Sequence, residues 1–222
     1  MESQAPTRID VISDVICPWC YIGRAHLEGA LALMAKDGLH FDIAWHPFQL
    51  NPDMPEEGVE RSAYRAAKFG SAERAAEMDA RVVEAGTAAG VTIRPHLMRR
   101  TPNTLAAHRV IWLALQHGVQ HAVKGALLQA YFSDGADIGQ HDSLASIAAT
   151  AGLPAAETRA MLASEDGRAE VLAEDAMARN AGINGVPSFI MGRHILFSGA
   201  QPADAMADTF TRAYSILSRN AA

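Results

Sequence analysis

The chain has 222 residues, 49% of them hydrophobic and 20% charged, enough to bury a sizeable core as one large domain or two small ones. A formal net charge of −6 without a basic stripe excludes the electrostatic footprint of a nucleic-acid binder, and no run approaches the roughly 18 apolar residues of a membrane span. Neither nucleic acid nor membrane is an expected partner. The opening stretch Met1-Glu2-Ser3-Gln4-Ala5-Pro6-Thr7-Arg8 carries no apolar h-region and no small-residue cleavage site, so the expected location is cytoplasmic.

The first predicted element runs from Ile9 to Ile16, short and rich in β-branched residues, and reads as a buried strand. It meets Cys17-Pro18-Trp19-Cys20, which holds both cysteines of the chain. A helix follows from Pro18 to about Lys36, with Ile22, Leu27, Ala30, Leu31 and Met34 on one side, and Asp37-Gly38 closes it. Phe41, Ile43 and Trp45 then alternate with Asp42, Ala44 and His46 in a second strand stopped by Pro47. This βαβ unit sets the dithiol at the carboxyl end of its first strand, where open α/β sheets carry their chemistry.

A close dithiol at a strand-to-helix junction is first of all a redox centre. Pro18 occupies the first helical position, where its missing N–H costs nothing, and Cys17 sits at the cap. Cysteines at helix starts titrate at roughly 3.5–7.5, against ~8.5 for a free one. A value near 6 needs about 3–3.5 kcal/mol of preferential stabilisation, at about 1.36 per unit. The helix dipole supplies about 0.3–1 kcal/mol, up to about 2 in partly buried sites. Hydrogen bonds from the N–H of Trp19 or Cys20 to the Cys17 sulfur are expected to add the rest. Cys17 is then the attacking thiol, and Cys20, one turn further in and more buried, the resolving one.

Two other uses of the pair compete. A structural disulfide would close a very small loop with little entropic benefit, and a reducing compartment favours cycling over stapling. Half a zinc site would need two more ligands; of the nine histidines only His117 and His121 have helical i,i+4 spacing, and Gly118 between them marks a helix end. No metal is expected.

From about Ser62 to Gly182 the chain is Ala-rich and helical in period. It is broken at Gly70, between Gly90 and Pro102, at Gly118, between Ser133 and Asp142, at Gly152-Leu153-Pro154 and at Gly167. Two short strands, Ser188–Met191 and Ile195–Ser198, are turned by Gly192-Arg193-His194, and a last helix runs from about Pro202 to Leu217. A helical insert has therefore interrupted a small α/β domain.

These segments together resemble the thioredoxin superfamily, specifically its DsbA-like family with a helical insertion, FrnE-type branch. The resemblance rests on Ser13-Asp14-Val15 with Cys17-Pro18-Trp19-Cys20-Tyr21-Ile22-Gly23, Trp45-His46-Pro47-Phe48, Leu50-Asn51-Pro52, Pro102-Asn103-Thr104 with Ala107-His108-Arg109, Tyr131-Phe132 with Asp137-Ile138-Gly139, Gly185-Val186-Pro187-Ser188-Phe189-Ile190 and Ser198-Gly199-Ala200-Gln201-Pro202. It implies an α/β thioredoxin-like fold with a large inserted all-helical domain. Residues 1–52 and 165–222 would form the thioredoxin-like part and residues 53–164 the insert.

The resemblance also implies a thiol–disulfide oxidoreductase with Cys17 as nucleophile and Cys20 as resolving thiol, and a cis Val186–Pro187 bond that brings Pro187 against the pair; from the residues alone Pro187 is an ordinary proline opening an edge strand. Pro18, Trp19, Val186 and Pro187 would wall the site, with the Val186 backbone free to pair with an extended substrate strand. No cofactor is held tightly; the Cys17–Cys20 disulfide is the redox centre, glutathione a candidate co-substrate, and protein or small-molecule thiols and disulfides the partners of a monomer or homodimer. Related kappa-class glutathione transferases and 2-hydroxychromene-2-carboxylate isomerases carry serine where this chain has Cys17, so a glutathione-dependent isomerase is the alternative.

Other residues have two readings each. Asp14 is either a proton relay for Cys20 or a solvated loop carboxylate. Trp19 is a substrate-contact surface or partly packed, and Asn103 and His108 line the groove or are buried and structural. Trp112 with Leu115, and Phe210 with Tyr214, are expected in the core; Glu73, Glu77, Glu84, Glu170, Glu174 and Asp175 are expected as solvated surface.

Overall fold

The computed structural model, which describes residues 7–221, begins with β1 (Arg8–Ser13), α1 (Pro18–Lys36) and β2 (Asp42–Pro47); the stretch up to Pro6, read above for a leader, lies outside the described residues. Between β2 and the last two strands lie β3 (Val59–Glu60), α2 (Arg61–Phe69), α3 (Ala72–Ala88), β4 (Arg100–Thr101), α4 (Leu105–Gln116), α5 (Gln120–Phe132), α6 (His141–Thr150), α7 (Ala155–Leu162) and α8 (Arg168–Asn180). The chain then returns through β5 (Ser188–Met191), β6 (His194–Ser198) and α9 (Ala203–Ala221).

The main sheet has four strands in the order β2-β1-β5-β6. β1 runs parallel to β2 and antiparallel to β5, and Val11 faces Trp45 on one side and Phe189 on the other. A strand paired on both edges and covered on both faces is expected to be largely apolar; Ile9, Val11 and Ile12 supply that character, and Asp10 among them is taken up by His46. β5 and β6 are joined by Gly192 and Arg193, both at positive φ, 52° and 73°. That is the two-residue turn whose twist suits a hairpin. α1 and α9 pack side by side, while α4, α5 and α8 lie against β2. Phe189 stacks on Phe197 and both pack against Phe210 where β5, β6 and α9 meet.

α1 is closed as its sequence foretold. Gly38, at φ 76°, lets its own N–H reach the Ala35 carbonyl and the Leu39 N–H reach that of Met34, the paired closure that favours glycine after a helix. The insert is not a separate body. One buried cluster holds Ile9, Leu27 and Phe189 together with Leu127, Leu144 and Leu153.

Four expectations need correction. β1 ends at Ser13 rather than Ile16, because the buried Asp14 carboxylate accepts hydrogen bonds from the Val15 N–H (2.7 Å) and the Leu50 N–H (2.8 Å), pulling the chain out of the ladder. The insert is not all-helical: β3 and β4 pair antiparallel, each two residues long, too short for any periodicity to reveal. Leu115 is 52% exposed rather than core; α4 buries Ala107, Val110, Ile111 and Ala114, and Leu115 lies outside that stripe. Asp175 is buried, accepting from the Gln49 N–H and from Arg179, and Glu174 is bound to His46 rather than solvated.

The His46 contact ties three elements together. Its Nδ1 is 2.9 Å from Glu174 on α8 and its Nε2 2.9 Å from Asp10 on β1. Burial pulls the imidazole pKa down, but the two carboxylates outweigh it and raise it to about 9. A group raised on folding adds stability that is complete below its unfolded value, about 6.5, and is lost as pH climbs through the folded one. Thermal melts should therefore show the native chain losing stability between about pH 6.5 and 9, with the loss largely absent in His46→Gln. Parallel pH profiles for the two proteins would refute the assignment.

Candidate active site

The junction between β1 and α1 builds the centre. Cys17 caps α1 in extended conformation (φ −87°, ψ 114°), Pro18 opens the helix, and Cys20 lies in its first turn. Only 4% of Cys17 reaches solvent and none of Cys20, while Trp19 is 44% exposed beside them. The Val186–Pro187 bond is cis. The Cys17 thiol donates to the Val186 carbonyl at 3.5 Å, so the loop before β5 closes over this sulfur. Pro187 in turn leans on α1 at Gly23, where an added Cβ would come within 2.9 Å of the proline ring. A side chain at this position would push the Pro187 wall off the dithiol.

The two thiols are unequal in the expected sense. A hydrogen bond from the Cys20 thiol is the main influence lowering the Cys17 pKa, against burial, with smaller help from the backbone N–H groups of Cys20 and Trp19. Those backbone groups favour the anion without closing a formed cap hydrogen bond on the sulfur, so the direct bonds expected from sequence are replaced chiefly by the neighbouring thiol. Burial pushes Cys20 well up, reinforced by its bond to Cys17 and opposed by Lys124.

A charged cluster lies behind the pair. Asp14 is wholly buried, which overturns the solvated-loop reading, and its Oδ1 is 3.2 Å from His108 Nε2. Burial pushes its carboxyl up, yet His108, the Leu50 N–H and Lys124 together hold it below the ordinary range. Lys124, from α5, is buried with its Nζ 5.5 Å from the centre of the Trp45 ring. Desolvation brings its pKa down to about 8, against the pull of Cys20, Asp14 and Cys17. Sequence reasoning missed Lys124. Its signal was a lysine within the stripe Gln120, Lys124, Leu127, Leu128, Tyr131, where a buried helix face should be apolar.

Asn103 and His108 do not line the groove beside Cys17. Asn103 accepts from the Leu105 N–H at the start of α4 and donates to the Met54 carbonyl. His108 is buried on Asp14, and its neighbour Arg109 holds the loop between α7 and α8 through the carbonyls of Met161, Ser164 and Asp166. His117 lies just past the end of α4 and His121 on α5, facing Glu157 and Glu28 respectively. Among the described residues no group of three His, Cys, Asp or Glu gathers as a metal site.

A cavity of about 460 Å³ opens beside the dithiol, between Cys17, Pro18, Trp19 and Val186 on one side and α2 and α3 on the other. Its far wall carries Arg61 and Arg65, both bound to Asp79. None of these was singled out from sequence, since arginines on an Ala-rich helix read as ordinary solvated surface.

Comparison with known proteins agrees with this geometry. The uncharacterized protein YwbO of Bacillus subtilis (strain 168) is 26% identical over 216 residues, covering 93% of this chain and 95% of that one. A probable DsbA oxidoreductase from Streptomyces coelicolor is similar in structure with a TM-score of 0.84 and 31% identity, covering 94% of this chain and 90% of its own. A 2-hydroxychromene-2-carboxylate isomerase shares the fold at a TM-score of 0.68 and 13% identity, covering 96% and 98% of the two chains. The family described as DSBA-like thioredoxin domain matches residues 8–211. With the dithiol capping α1, a cis proline against it and a helical insertion covering the sheet, this chain belongs to the DsbA-like thioredoxin-domain family.

Proposed function

We propose that the chain is a thiol–disulfide oxidoreductase of the FrnE-type branch that works through Cys17 and Cys20. The observation that carries this reading is the asymmetry of the pair: one thiol lowered in pKa at the mouth of a cavity, the other raised and buried one helical turn behind. In the reducing direction the Cys17 thiolate attacks one sulfur of a substrate disulfide, forming a Cys17–substrate disulfide and releasing the other substrate sulfur as a thiolate. Cys20 then gives up its proton and attacks the Cys17 sulfur, forming the Cys17–Cys20 disulfide and releasing the second thiolate. In reverse, two substrate thiols are oxidised and the pair is reduced. Asp14 and Lys124 sit where the Cys20 proton must be handled; of the two, the amine is better matched to accept it, since Asp14 is held as a weak base.

The test is a redox titration in glutathione buffers, with free thiols alkylated and counted by mass at each ratio. The expected result is one reversible two-electron transition that involves both thiols. Its midpoint relative to the glutathione couple gives the direction, with about 30 mV corresponding to 1.4 kcal/mol. Absence of a reversible transition, with activity that requires glutathione and survives Cys20→Ser, would overturn the reading in favour of a glutathione-dependent isomerase.

A further inference from the structure

Resting on that oxidoreductase reading, and on Lys124 as the acceptor of the Cys20 proton, we propose that Arg24 is a positioning residue for the resolving step: its guanidinium, seated in a notch that Gly125 leaves in α5, is the fixed charge that keeps Lys124 free to take that proton. Cys20, Arg24 and Glu28 follow one another at i,i+4 spacing and form one stripe of α1. The stripe meets α5 where that helix carries His121, Lys124 and Gly125: Glu28 is bound to His121, and Arg24 lies on Gly125. The two helix faces that bring Lys124 to Cys20 therefore bring Arg24 to Lys124 as well.

The seat is specific. A Cβ added at Gly125 would stand 2.6 Å from the guanidinium carbon of Arg24, so a side chain there displaces the group. Glycine is a poor helix former in mid-helix, and α5 gives up a better one at this position. Only 22% of the Arg24 side chain is exposed, and its Nε is buried without a hydrogen-bond partner among the described residues. A buried donor left unpaired is destabilising, and an arginine serving only as a surface partner of Glu28 would swing outward and avoid that loss. The fold thus accepts two local penalties to hold a positive charge at this point.

The charges around Lys124 give the seat its consequence. Asp14 of the β1–α1 turn, itself bound to His108 of α4, favours the ammonium, as do Cys17 and Cys20 at the start of α1 and the ring face of Trp45 on β2; Arg24 opposes it, in the same sense as burial. On α5 itself His121 adds no charge: Trp45 Nε1 donates to its Nδ1 at 3.1 Å, so its Nε2 carries the proton and donates to Glu28 at 2.5 Å. Glu28 pairs with Arg24 at 3.0 Å, but that carboxylate is 44% exposed and one turn further from Cys20, so water screens it more than it screens the guanidinium. In the resolving step the Cys20 S–H gives its proton to the Lys124 amine while its sulfur attacks the Cys17 sulfur. The Cys17–Cys20 bond forms, the Cys17–substrate bond breaks, and the substrate sulfur leaves as a thiolate. An ammonium at position 124 has no room for that proton, so loss of the Arg24 charge, which leaves more of Lys124 protonated at neutral pH, slows the step.

Two readouts test this. The titration midpoint of Lys124 in the reduced chain is followed by carbon NMR of labelled lysine ε-methylene groups; the other lysines, Lys36 and Lys68, are exposed. The resolving step is followed by mixing the reduced chain with dithiodipyridine, where the second thiopyridone leaves in a first-order phase independent of probe concentration. Arg24→Gln is expected to raise the midpoint by about one pH unit and to slow the second phase about tenfold at neutral pH, while Arg24→Lys, which keeps the charge, retains most of the native rate. Gly125→Ala, which by helix propensity alone would stabilise α5, should move both readouts in the same direction as Arg24→Gln, because it pushes the guanidinium out. Glu28→Gln keeps an acceptor for His121 and Arg24 but removes the opposing charge, and should move the midpoint the other way. In a Lys124→Met chain, Arg24→Gln should change the second phase by less than about twofold, since the two residues act as one unit.

A midpoint unmoved in both Arg24→Gln and Gly125→Ala would overturn the inference while Cys20 still resolved the mixed disulfide. So would shifts of the same sign for Arg24→Gln and Glu28→Gln, or an equal cost of Arg24→Gln with and without Lys124. A second phase absent from the native chain at every pH would remove the oxidoreductase reading itself, and the role given to Lys124 with it, a failure that the lysine titration does not share.

Discussion

Cys20→Ser is expected to accumulate a stable mixed disulfide between Cys17 and its substrate, visible as a mass adduct that a reductant removes, whereas Cys17→Ser forms no adduct. Turnover in the second variant should fall by at least about a thousandfold, the scale on which loss of a nucleophile is felt. The difference comes from position. Cys17 alone faces the cavity and Val186, and its lowered pKa keeps it nucleophilic. Cys20 has no exposed surface and a raised pKa, so it attacks only a disulfide delivered to it by Cys17. Because a serine at position 20 offers no second sulfur, the intermediate has no internal exit. Equal residual turnover in the two variants, or adducts carried by Cys20, would refute this division of labour.

His108→Leu is expected to lower the unfolding free energy by about 3 kcal/mol, since removing one partner of a buried pair costs roughly 3–5 kcal/mol. For a chain of this size that is a fall of roughly 6–12 °C in melting temperature. Leucine fills a similar volume but leaves the Asp14 carboxylate, which is wholly buried, without the imidazole 3.2 Å away. In the native chain Asp14 is a carboxyl with its pKa lowered on folding. Such a group adds stability that is complete above its unfolded value, about 3.9, and is lost as pH falls through the lower folded one. In the variant burial prevails and the carboxyl moves up, so the penalty should be largest near neutral pH and shrink below about pH 4. A melting temperature within about 2 °C of the native one at neutral pH, or a difference independent of pH, would show that the pair contributes little.

Much of the site was legible because its parts are local. Cys17, Pro18 and Cys20 lie within one helical turn, and the roles of cap, first helical residue and first-turn thiol follow from their spacing. The breaks at Gly70, Gly118 and Gly167 each coincide with a helix boundary for a comparably local reason: each glycine has positive φ, where a side chain is disfavoured. Val186-Pro187 could be placed against the dithiol only through the family resemblance, because an X–Pro bond written in sequence carries no mark of its isomer.

Asp14 shows where local reading stops. A carboxylate three residues before a cysteine reads either as a proton relay or as a loop residue in water, and its neighbours in the chain do not choose between the two. Its partners arrive from Leu50, His108 and Lys124, carried there by β2, α4 and α5. The same holds for the cavity, whose cationic rim on α2 and α3 faces Cys17 because the insert folds back over the β1–α1 junction.

Spacing along the chain thus marked the cysteine pair at the strand-to-helix junction and the α/β frame, because caps, turns and hydrophobic periods act over a few residues. The charge behind the pair, the depth of Cys17 and the chemistry of the cavity wall were settled by packing. Burial and Coulomb interactions depend on distance in space, and the groups that govern this dithiol are brought beside it from as far as 169 residues away.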